Sequence, residues 1–227
     1  MTLRAVVFDF DGVIADTEPL HLKAAQRVLA DVGMRLEAET YYQRYLGFDD
    51  AGLFRALASD TGIDLDAPSV ASLVEAKSRV LESLIDDGSV LFAGIRECIE
   101  RCAAQVPLAI ASGALGHEIE HILRRTGLRE VFQVVVGAGD TPRSKPSPDP
   151  YARAVELLRA SAGEDLEAAQ CVAIEDSQWG IQSARAAGLR CVAVAHTYPA
   201  EMLREADFVA ETLGEINIER LRQLCTR

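Results

Sequence analysis

Residues 5–12, Ala-Val-Val-Phe-Asp-Phe-Asp-Gly, decide the fold of this chain. The apolar run Ala5–Phe8 predicts a strand buried on both faces of a parallel sheet. Asp9 and Asp11 follow, and Gly12 comes directly after them. Buried carboxylates need compensation, and ligands bind at the carboxyl ends of strands in open α/β sheets. The stretch therefore predicts a functional, cation-requiring site, with a simple acidic turn as the plainer alternative.

Composition sets the broad class. The chain has 227 residues, 49% of them hydrophobic and 26% charged, which is the balance of a globular protein. Its net charge is −12 and its pI about 4.8, so we expect no nucleic-acid partner and no anionic membrane surface. No apolar run approaches the length of a membrane span, and the N-terminus enters a strand directly, so we expect no signal peptide.

Cysteine usage indicates a reducing compartment. The five cysteines are scattered and odd in number, which favours a cytoplasmic protein without disulfides. Cys98 and Cys102 have helical spacing on a mostly apolar face, so core packing explains them better than a metal pair does.

A helical insertion interrupts the first part of the chain. Apolar residues recur with helical spacing in four stretches before Gly88, about residues 20–32, 37–46, 50–59 and 68–84. No strand pattern interrupts them, and the next strand is predicted at Val106–Ala111. A parallel crossover needs only about a dozen residues. We therefore predict a helical subdomain over residues 16–88, inserted into a core formed by residues 1–15 and 89–227.

The rest of the chain alternates strands and helices, which predicts a doubly wound parallel sheet of the α/β class. Polar residues follow three further predicted strands: Ser112-Gly113 and Glu175-Asp176 directly, and Lys145 in the loop after its strand. Each has a plain alternative as a helix cap or a solvated loop residue. Their joint occurrence at one edge of a sheet favours a site.

These residues carry a resemblance to a known family. The segment from Asp9 to Thr17 resembles the first motif of the haloacid dehalogenase superfamily. Ser112, Lys145 and Glu175-Asp176 match its second, third and fourth motifs in order, and the helical insertion matches its cap. The segments Ser144–Asp149 and Glu175–Ile181 resemble the β-phosphoglucomutase and phosphoglycolate phosphatase branch. The resemblance covers nearly the whole chain.

The resemblance implies a chemistry. Asp9 would be the nucleophile that forms an aspartyl-phosphate, and Asp11 the general acid and base. Asp9, Asp176 and the carbonyl of Asp11 would bind Mg²⁺, with Glu175 either a ligand or a partner of one. Lys145 would neutralise charge on Asp9. Ser112, Gly113 and the amides after them, expected at a helix N-terminus, would hold phosphoryl oxygens.

The resemblance also assigns residues of the cap. His21 takes the place of a histidine that faces the site, and Lys77 that of a lysine that contacts substrate. A half-exposed histidine and a solvated lysine are the alternatives. His117, His121 and His196 have no such support and are interpreted as surface or helix-end residues. Trp179 is interpreted as a core residue.

The sequence thus predicts a magnesium-dependent phosphatase for a small phosphorylated metabolite, most simply a sugar phosphate, acting as a monomer or weak homodimer. A phosphosugar mutase and a catalytically silent binding protein are the alternatives. The mutase relatives carry an arginine a few residues after the cap glycine, where this chain has Asp49 and Asp50 after Gly47. Acids would repel a second phosphate, so we expect hydrolysis of a monophosphate to dominate.

Overall fold

Six parallel strands form one sheet in the part of the chain that the computed structural model describes, residues 2–46, 48–86 and 90–226. The sheet has the order β3-β2-β1-β4-β5-β6. The strands are β1 Ala5–Phe8, β2 Leu108–Leu115, β3 Val134–Ala138, β4 Cys171–Glu175, β5 Arg190–Val194 and β6 Phe208–Ala210. The predicted doubly wound α/β fold is confirmed.

The helices alternate with these strands after residue 90 and follow one another before it. They are α1 Glu18–Asp31, α2 Ala38–Thr40, α3 Asp50–Thr61, α4 Ala67–Asp86, α5 Ile95–Ala103, α6 Gly116–Thr126, α7 Asp149–Ala162, α8 Gln178–Ala186 and α9 Ile218–Cys225. A π-helical segment, Tyr41–Tyr45, continues directly from α2. One helix was predicted there, over residues 37–46, and Gly47 lies outside the described residues.

The strand β1 lies at the centre of the sheet, and every one of its residues is buried. It pairs with β2 through Val6 and Leu108, and with β4 through Phe8 and Ile174. A strand covered on both faces has no solvent-facing side, which explains its continuous apolar sequence. The polar residues that follow it are consequently held by a rigid support.

The chain divides into two compact units, Met1–Asp16 with Val90–Arg227, and Thr17–Ser89. The predicted domain boundaries lie one residue from these. The first unit contains the sheet, and α7 and α8 cover one face of it through Tyr151, Leu158 and Ile181. Its cysteines are free and buried, Cys98 and Cys102 among them, as the core interpretation requires.

The second unit, Thr17–Ser89, is helical and has its own apolar core. Leu29, Phe54 and Leu73 bring α1, α3 and α4 together there. Among the described residues, no helix combines the length and hydropathy that crossing a membrane requires.

Two local predictions are wrong. The second strand does not end before Ser112 but continues to Leu115, with a register irregularity after Ala111, so α6 begins only at Gly116. The amides after Ser112 therefore do not lie at a helix N-terminus. Trp179 is 47% exposed rather than in the core, because α8 buries its opposite face through Ile181 and Ala184.

Candidate active site

The sheet order places three of the polar segments side by side. Because β1 lies between β2 and β4, its carboxyl end is flanked by Ser112 and by Glu175-Asp176. The Asp9 N–H donates to the carbonyl of Ile174 at 2.8 Å, which continues the β1–β4 pairing one residue beyond β1. The fold therefore converges residues that are far apart in sequence on one edge of the sheet.

Lys145 joins the first and fourth motifs. Its Nζ lies 2.8 Å from Asp9 Oδ1 and 2.6 Å from Glu175 Oε1. The Phe10 N–H also donates to Asp9 Oδ1, at 2.7 Å. Within the described part of the chain, the hydrogen bonds to Asp9 thus end on Oδ1, and Oδ2 receives none of them. This arrangement fixes the orientation of the Asp9 carboxylate.

Glu175 is completely buried, and hydrogen bonds saturate both of its oxygens. Oε1 accepts from Lys145 and from the Tyr151 hydroxyl at 2.8 Å. Oε2 accepts from the N–H groups of Asp176 and Ser177 and from the Ser177 hydroxyl, at 3.1, 3.2 and 3.1 Å. Glu175 is therefore arranged to orient Lys145 rather than to offer an oxygen outward.

Asp176 approaches the turn that follows β1. Gly12 has a φ of 77°, and a Cβ on it would lie 1.9 Å from Asp176 Oδ2. The position consequently requires glycine on two grounds, the left-handed backbone and the contact with the carboxylate. The Thr197 side chain donates a hydrogen bond to Asp176. Asp11, half-buried, lies in the same turn, where it makes a β-bridge with Ala15.

The acidic residues form a group that fits a divalent cation. Carboxylate oxygens of Asp9, Glu175 and Asp176 lie within 4.8 Å of one another, and all three residues are buried. Oxygen donors are the ligands that hard cations such as Mg²⁺ select. Lys145 supplies one positive charge to three carboxylates, so a further cation is electrostatically favoured.

The pKa values follow from this crowding. Burial, and next the charge of Glu175, raises the pKa of Asp9, against the opposing effect of Lys145. The same two causes raise the pKa of Asp176 to about 7. For Glu175, burial acts upward, but Lys145, Tyr151 and the amide of Asp176 together lower the pKa. Glu175 is therefore the carboxylate that Lys145 stabilises most in its charged form. A bound cation would stabilise the charged forms of Asp9 and Asp176, whose pKa values are raised.

Ser112 and Gly113 lie near the end of β2. Ser112 is buried, and its Oγ accepts from the Ala114 N–H at 3.1 Å. Gly113 is exposed. A hydroxyl that accepts from its own loop keeps its proton for a ligand oxygen. The role of both residues in phosphoryl binding stays a prediction, now without a helix N-terminus to support it.

The two cap residues lie together inside the second unit. The Lys77 ammonium donates to His21 Nδ1 at 2.8 Å and forms an ion pair with Asp50. Lys77 is only 1% exposed, so it is not a solvated lysine. Burial, and next the charge of Lys77, lowers the pKa of His21 to about 3. Contact of either residue with substrate stays a prediction.

Sequence reasoning assigned no role to three residues that support the site. Tyr151 donates to Glu175, and the Lys145 ammonium lies 5.0 Å from the centre of its ring. Gly180 packs against Glu175 so closely that a Cβ would lie 1.8 Å from Oε1. Thr197 binds Asp176 from the loop after β5. Tyr151 and Thr197 lie outside the four motifs, and no local pattern marks them.

The sheet, the inserted helical unit and this carboxylate–lysine cluster define a class of hydrolase. The family model of the haloacid dehalogenase-like hydrolases matches residues 6–194, and the chain belongs to that family. It is an enzyme of the phosphatase type, as the sequence predicts.

Relatives at about 30% identity cover nearly the whole chain. Protein CbbY of Rhodobacter capsulatus is 33% identical over 217 residues, which are 92% of this chain and 91% of that protein. Fructose-1-phosphate phosphatase YqaB of Escherichia coli is 30% identical over 189 residues, 83% of this chain and 95% of that protein. A crystal structure of a CbbY variant from Rhodobacter sphaeroides in complex with xylulose-(1,5)-bisphosphate has a TM-score of 0.82, with 27% identity, and covers 94% and 96% of the two chains.

Proposed function

We propose that this protein is a magnesium-dependent phosphatase that hydrolyses a sugar phosphate through an aspartyl-phosphate on Asp9. The observation that carries the proposal is the orientation of Asp9, with Lys145 and the Phe10 amide both on Oδ1. A carboxylate held in this way presents its other oxygen to an incoming phosphorus, as nucleophilic catalysis requires.

The first half-reaction transfers the phosphoryl group. Asp9 Oδ2 attacks phosphorus, and the bond from phosphorus to the sugar oxygen breaks. Asp11 donates a proton to the departing oxygen, so the sugar leaves as a neutral alcohol. Lys145 balances the negative charge of Asp9 and Glu175. The Ser112 hydroxyl donates a hydrogen bond to a phosphoryl oxygen.

The second half-reaction regenerates the enzyme. Asp11, now a carboxylate, removes a proton from a water molecule, which attacks the phosphorus of the aspartyl-phosphate. The acyl-phosphate bond breaks, Asp9 returns as a carboxylate, and inorganic phosphate departs. The proton that Asp11 gave to the sugar oxygen is thereby restored.

Asp9, Asp176 and the carbonyl of Asp11 would hold the cation. When bound, Mg²⁺ would screen the carboxylates and stabilise negative charge on the phosphoryl group. Glu175 acts through Lys145, since its oxygens already accept from Lys145, Tyr151 and the Ser177 segment.

The substrate class follows from relatives. One is named a fructose-1-phosphate phosphatase, and the structure of another contains a ketose bisphosphate. Both sugars are ketoses with a phosphate on carbon 1. We infer that ketose 1-phosphates are the first compounds to test. A catalytically silent protein is disfavoured, because the nucleophile, its lysine and the acids are assembled in one buried cluster.

Hydrolysis is favoured over the isomerisation that a phosphosugar mutase catalyses. Asp50 already pairs with Lys77, so the charge of that lysine is balanced within its own unit. A mutase needs a cation for the phosphate that is not reacting. Phosphate release should therefore exceed any interconversion of glucose 1-phosphate and glucose 6-phosphate.

The compartment and assembly stay predictions. The five cysteines are free and buried, which supports a reducing environment such as the cytoplasm. We propose a monomer or weak homodimer that acts on a small metabolite, without nucleic acid or membrane.

The decisive experiment measures phosphate release from fructose 1-phosphate, xylulose 1,5-bisphosphate and glucose 1-phosphate, with Mg²⁺ and with EDTA. The wild type should be active with Mg²⁺ and inactive with EDTA. Asp9→Asn should lower kcat by at least a thousandfold with an unchanged circular dichroism spectrum. Silence of the wild type on this panel and on a broad set of sugar phosphates would refute the proposal, and an active Asp9→Asn would exclude Asp9 as the nucleophile.

A further inference from the structure

His196 contacts the turn that carries Asp11. It lies in the loop after β5, half-buried, with Nδ1 3.0 Å from the carbonyl oxygen of Gly12. A carbonyl oxygen only accepts, so Nδ1 must carry the proton and donate it. His196 thus lies in a loop rather than at a helix end, and it is a half-buried residue with a hydrogen-bond partner.

The His196 ring also contacts a second segment beside this turn, the one that contains Leu91 and Phe92. It stacks on Phe92, with ring centres 4.2 Å apart and planes inclined by 19°. The Phe92 N–H donates to the carbonyl of Ile14 at 3.2 Å, and Leu91 forms an antiparallel bridge with Ala15. One imidazole thus contacts both the segment after β1 and the segment that returns to the sheet after residue 90.

The next residue, Thr197, contacts the acidic segment that follows β4. Thr197 donates to Asp176, and its Oγ1 would lie 2.8 Å from a Cβ on Gly12. Consecutive residues of one loop therefore contact the turn from β1 and the carboxylate from β4. This loop contributes no carboxylate to the cluster, yet it contacts both acidic segments.

We propose that His196 is a positioning residue that, together with Thr197, fixes the Asp11–Gly12 turn relative to Asp176. The inference rests on the proposed function, since these acids are its metal ligands and its general acid. The hydrogen bond from Nδ1 is the essential element, and the stack on Phe92 orients the ring so that Nδ1 faces Gly12.

The test separates the hydrogen bond from the ring. His196→Phe keeps a stacking ring but removes the donor. His196→Asn removes the ring but keeps a donor near the position of Nδ1. His121→Phe is the matched control, because His121 lies on α6 and has no role in the proposed chemistry.

Two measurements are made on each variant. Mn²⁺ replaces Mg²⁺ in the binding measurement because both ions prefer oxygen ligands. Its binding is followed through the electron paramagnetic resonance signal of the free ion. Turnover of the best substrate gives kcat and KM. His196→Phe should weaken Mn²⁺ binding about fivefold and lower kcat about tenfold, with KM within twofold. His196→Asn should remain within threefold of the wild type in each, and His121→Phe should not differ from it.

The inference would be overturned if His196→Phe had the Mn²⁺ affinity and kcat of the wild type. It would also be overturned if His196→Phe and His196→Asn were equally impaired, because that would show a packing role only. If His196→Phe fails to fold, Thr197→Val replaces it and should weaken Mn²⁺ binding similarly. A wild type that binds Mn²⁺ but releases no phosphate would refute the proposed function while the binding comparison still tests His196. A wild type that binds no Mn²⁺ would overturn the inference.

Discussion

At the scale of single residues, the position of Glu175 governs the site. Its carboxylate is completely buried and accepts from Lys145 on one oxygen. It lies directly against the α-carbon of Gly180, on the first turn of α8. Since no space exists between them, the side chain of Glu175 cannot retreat, and the ammonium of Lys145 is held in place.

Gly180→Ala should therefore damage both stability and activity. The new Cβ would lie 1.8 Å from Glu175 Oε1, so the carboxylate or the helix must shift. We expect a loss of about 1–3 kcal/mol in the free energy of unfolding, measured by urea denaturation. We also expect kcat to fall by roughly ten- to a hundredfold, because Lys145 would be displaced from Asp9.

Gly116→Ala is the matched control for this change. Gly116 is also helical, but a Cβ on it meets nothing within 4 Å. Alanine there should leave stability unchanged or raise it by up to about 1 kcal/mol. A Gly180→Ala variant that behaves like Gly116→Ala would show that Glu175 is not held by this contact.

At the scale of elements, three helices of the second unit meet at Lys77. This lysine lies on α4, His21 on α1 and Asp50 on α3. A buried ammonium with both an anionic and a neutral partner fixes how the three helices pack, and removal of a partner would leave a buried charge uncompensated. His21 and Lys77, which the resemblance associates with substrate, therefore have a structural role in this unit.

The buried His21 should make this unit sensitive to acid. Its pKa is about 3 in the folded state, well below the ordinary 6.5, so the unfolded chain binds the proton first as pH falls. Stability is therefore lost as pH drops below about 6.5. Between pH 7.5 and pH 5 the wild type should lose up to about 2 kcal/mol more than His21→Asn, which keeps an acceptor for Lys77 but does not titrate.

Urea denaturation at the two pH values measures this difference. The comparison between the two proteins cancels the contribution of the other titrating groups. Equal losses in the wild type and in His21→Asn would show that His21 titrates normally in the folded protein.

Asp49 has a structural role at the start of α3. Its side chain accepts from the Gly52 N–H at 2.6 Å, as an N-cap residue does. Asp49→Ala should destabilise the helix by about 1 kcal/mol, and Asp49→Ser should restore most of this. Hydrogen exchange of the α3 amides measures the change, with exposed Asp64→Ala as the control. Unchanged exchange in Asp49→Ala would contradict the capping role. Asp49→Arg, a change that would add a cation for a second phosphate, would remove this cap and destabilise α3.

At the scale of the whole molecule, the acidic cluster couples cation binding to folding. Asp9 follows β1, whereas Glu175 and Asp176 lie at the end of β4, so the group exists only in the folded chain. A cation that binds it stabilises the native state alone. The net charge of −12 further favours any bound cation.

Mg²⁺ should consequently raise the unfolding temperature. At ten times its dissociation constant it should add about 1.4 kcal/mol, equivalent to a few degrees in a chain of this size. Differential scanning fluorimetry with Mg²⁺ and with EDTA measures the shift. Asp176→Asn, which retains a partner for Thr197, should abolish it. A full shift in that variant would show that Mg²⁺ binds elsewhere.

The sequence by itself determined the architecture and most of the site. A short apolar run that ends in Asp and Gly is typical of a strand covered on both faces, so Ala5–Phe8 predicted the central strand of the sheet. Alternating strands and helices implied parallel pairing, and parallel pairing implied that Asp9, Lys145 and Glu175 would converge. Each of these conclusions depends on local composition and order along the chain, which sequence reveals.

Only the tertiary structure decided how the charges are distributed. Lys145 pairs with both Asp9 and Glu175, and Lys77 is buried rather than solvated. These arrangements depend on contacts between residues 27 to 136 positions apart in the sequence. The same holds for His196, which contacts Gly12 across 184 positions. No local pattern encodes such contacts, because they arise when separate elements pack and exclude water. Their energy depends on burial, and burial is a property of the folded chain alone.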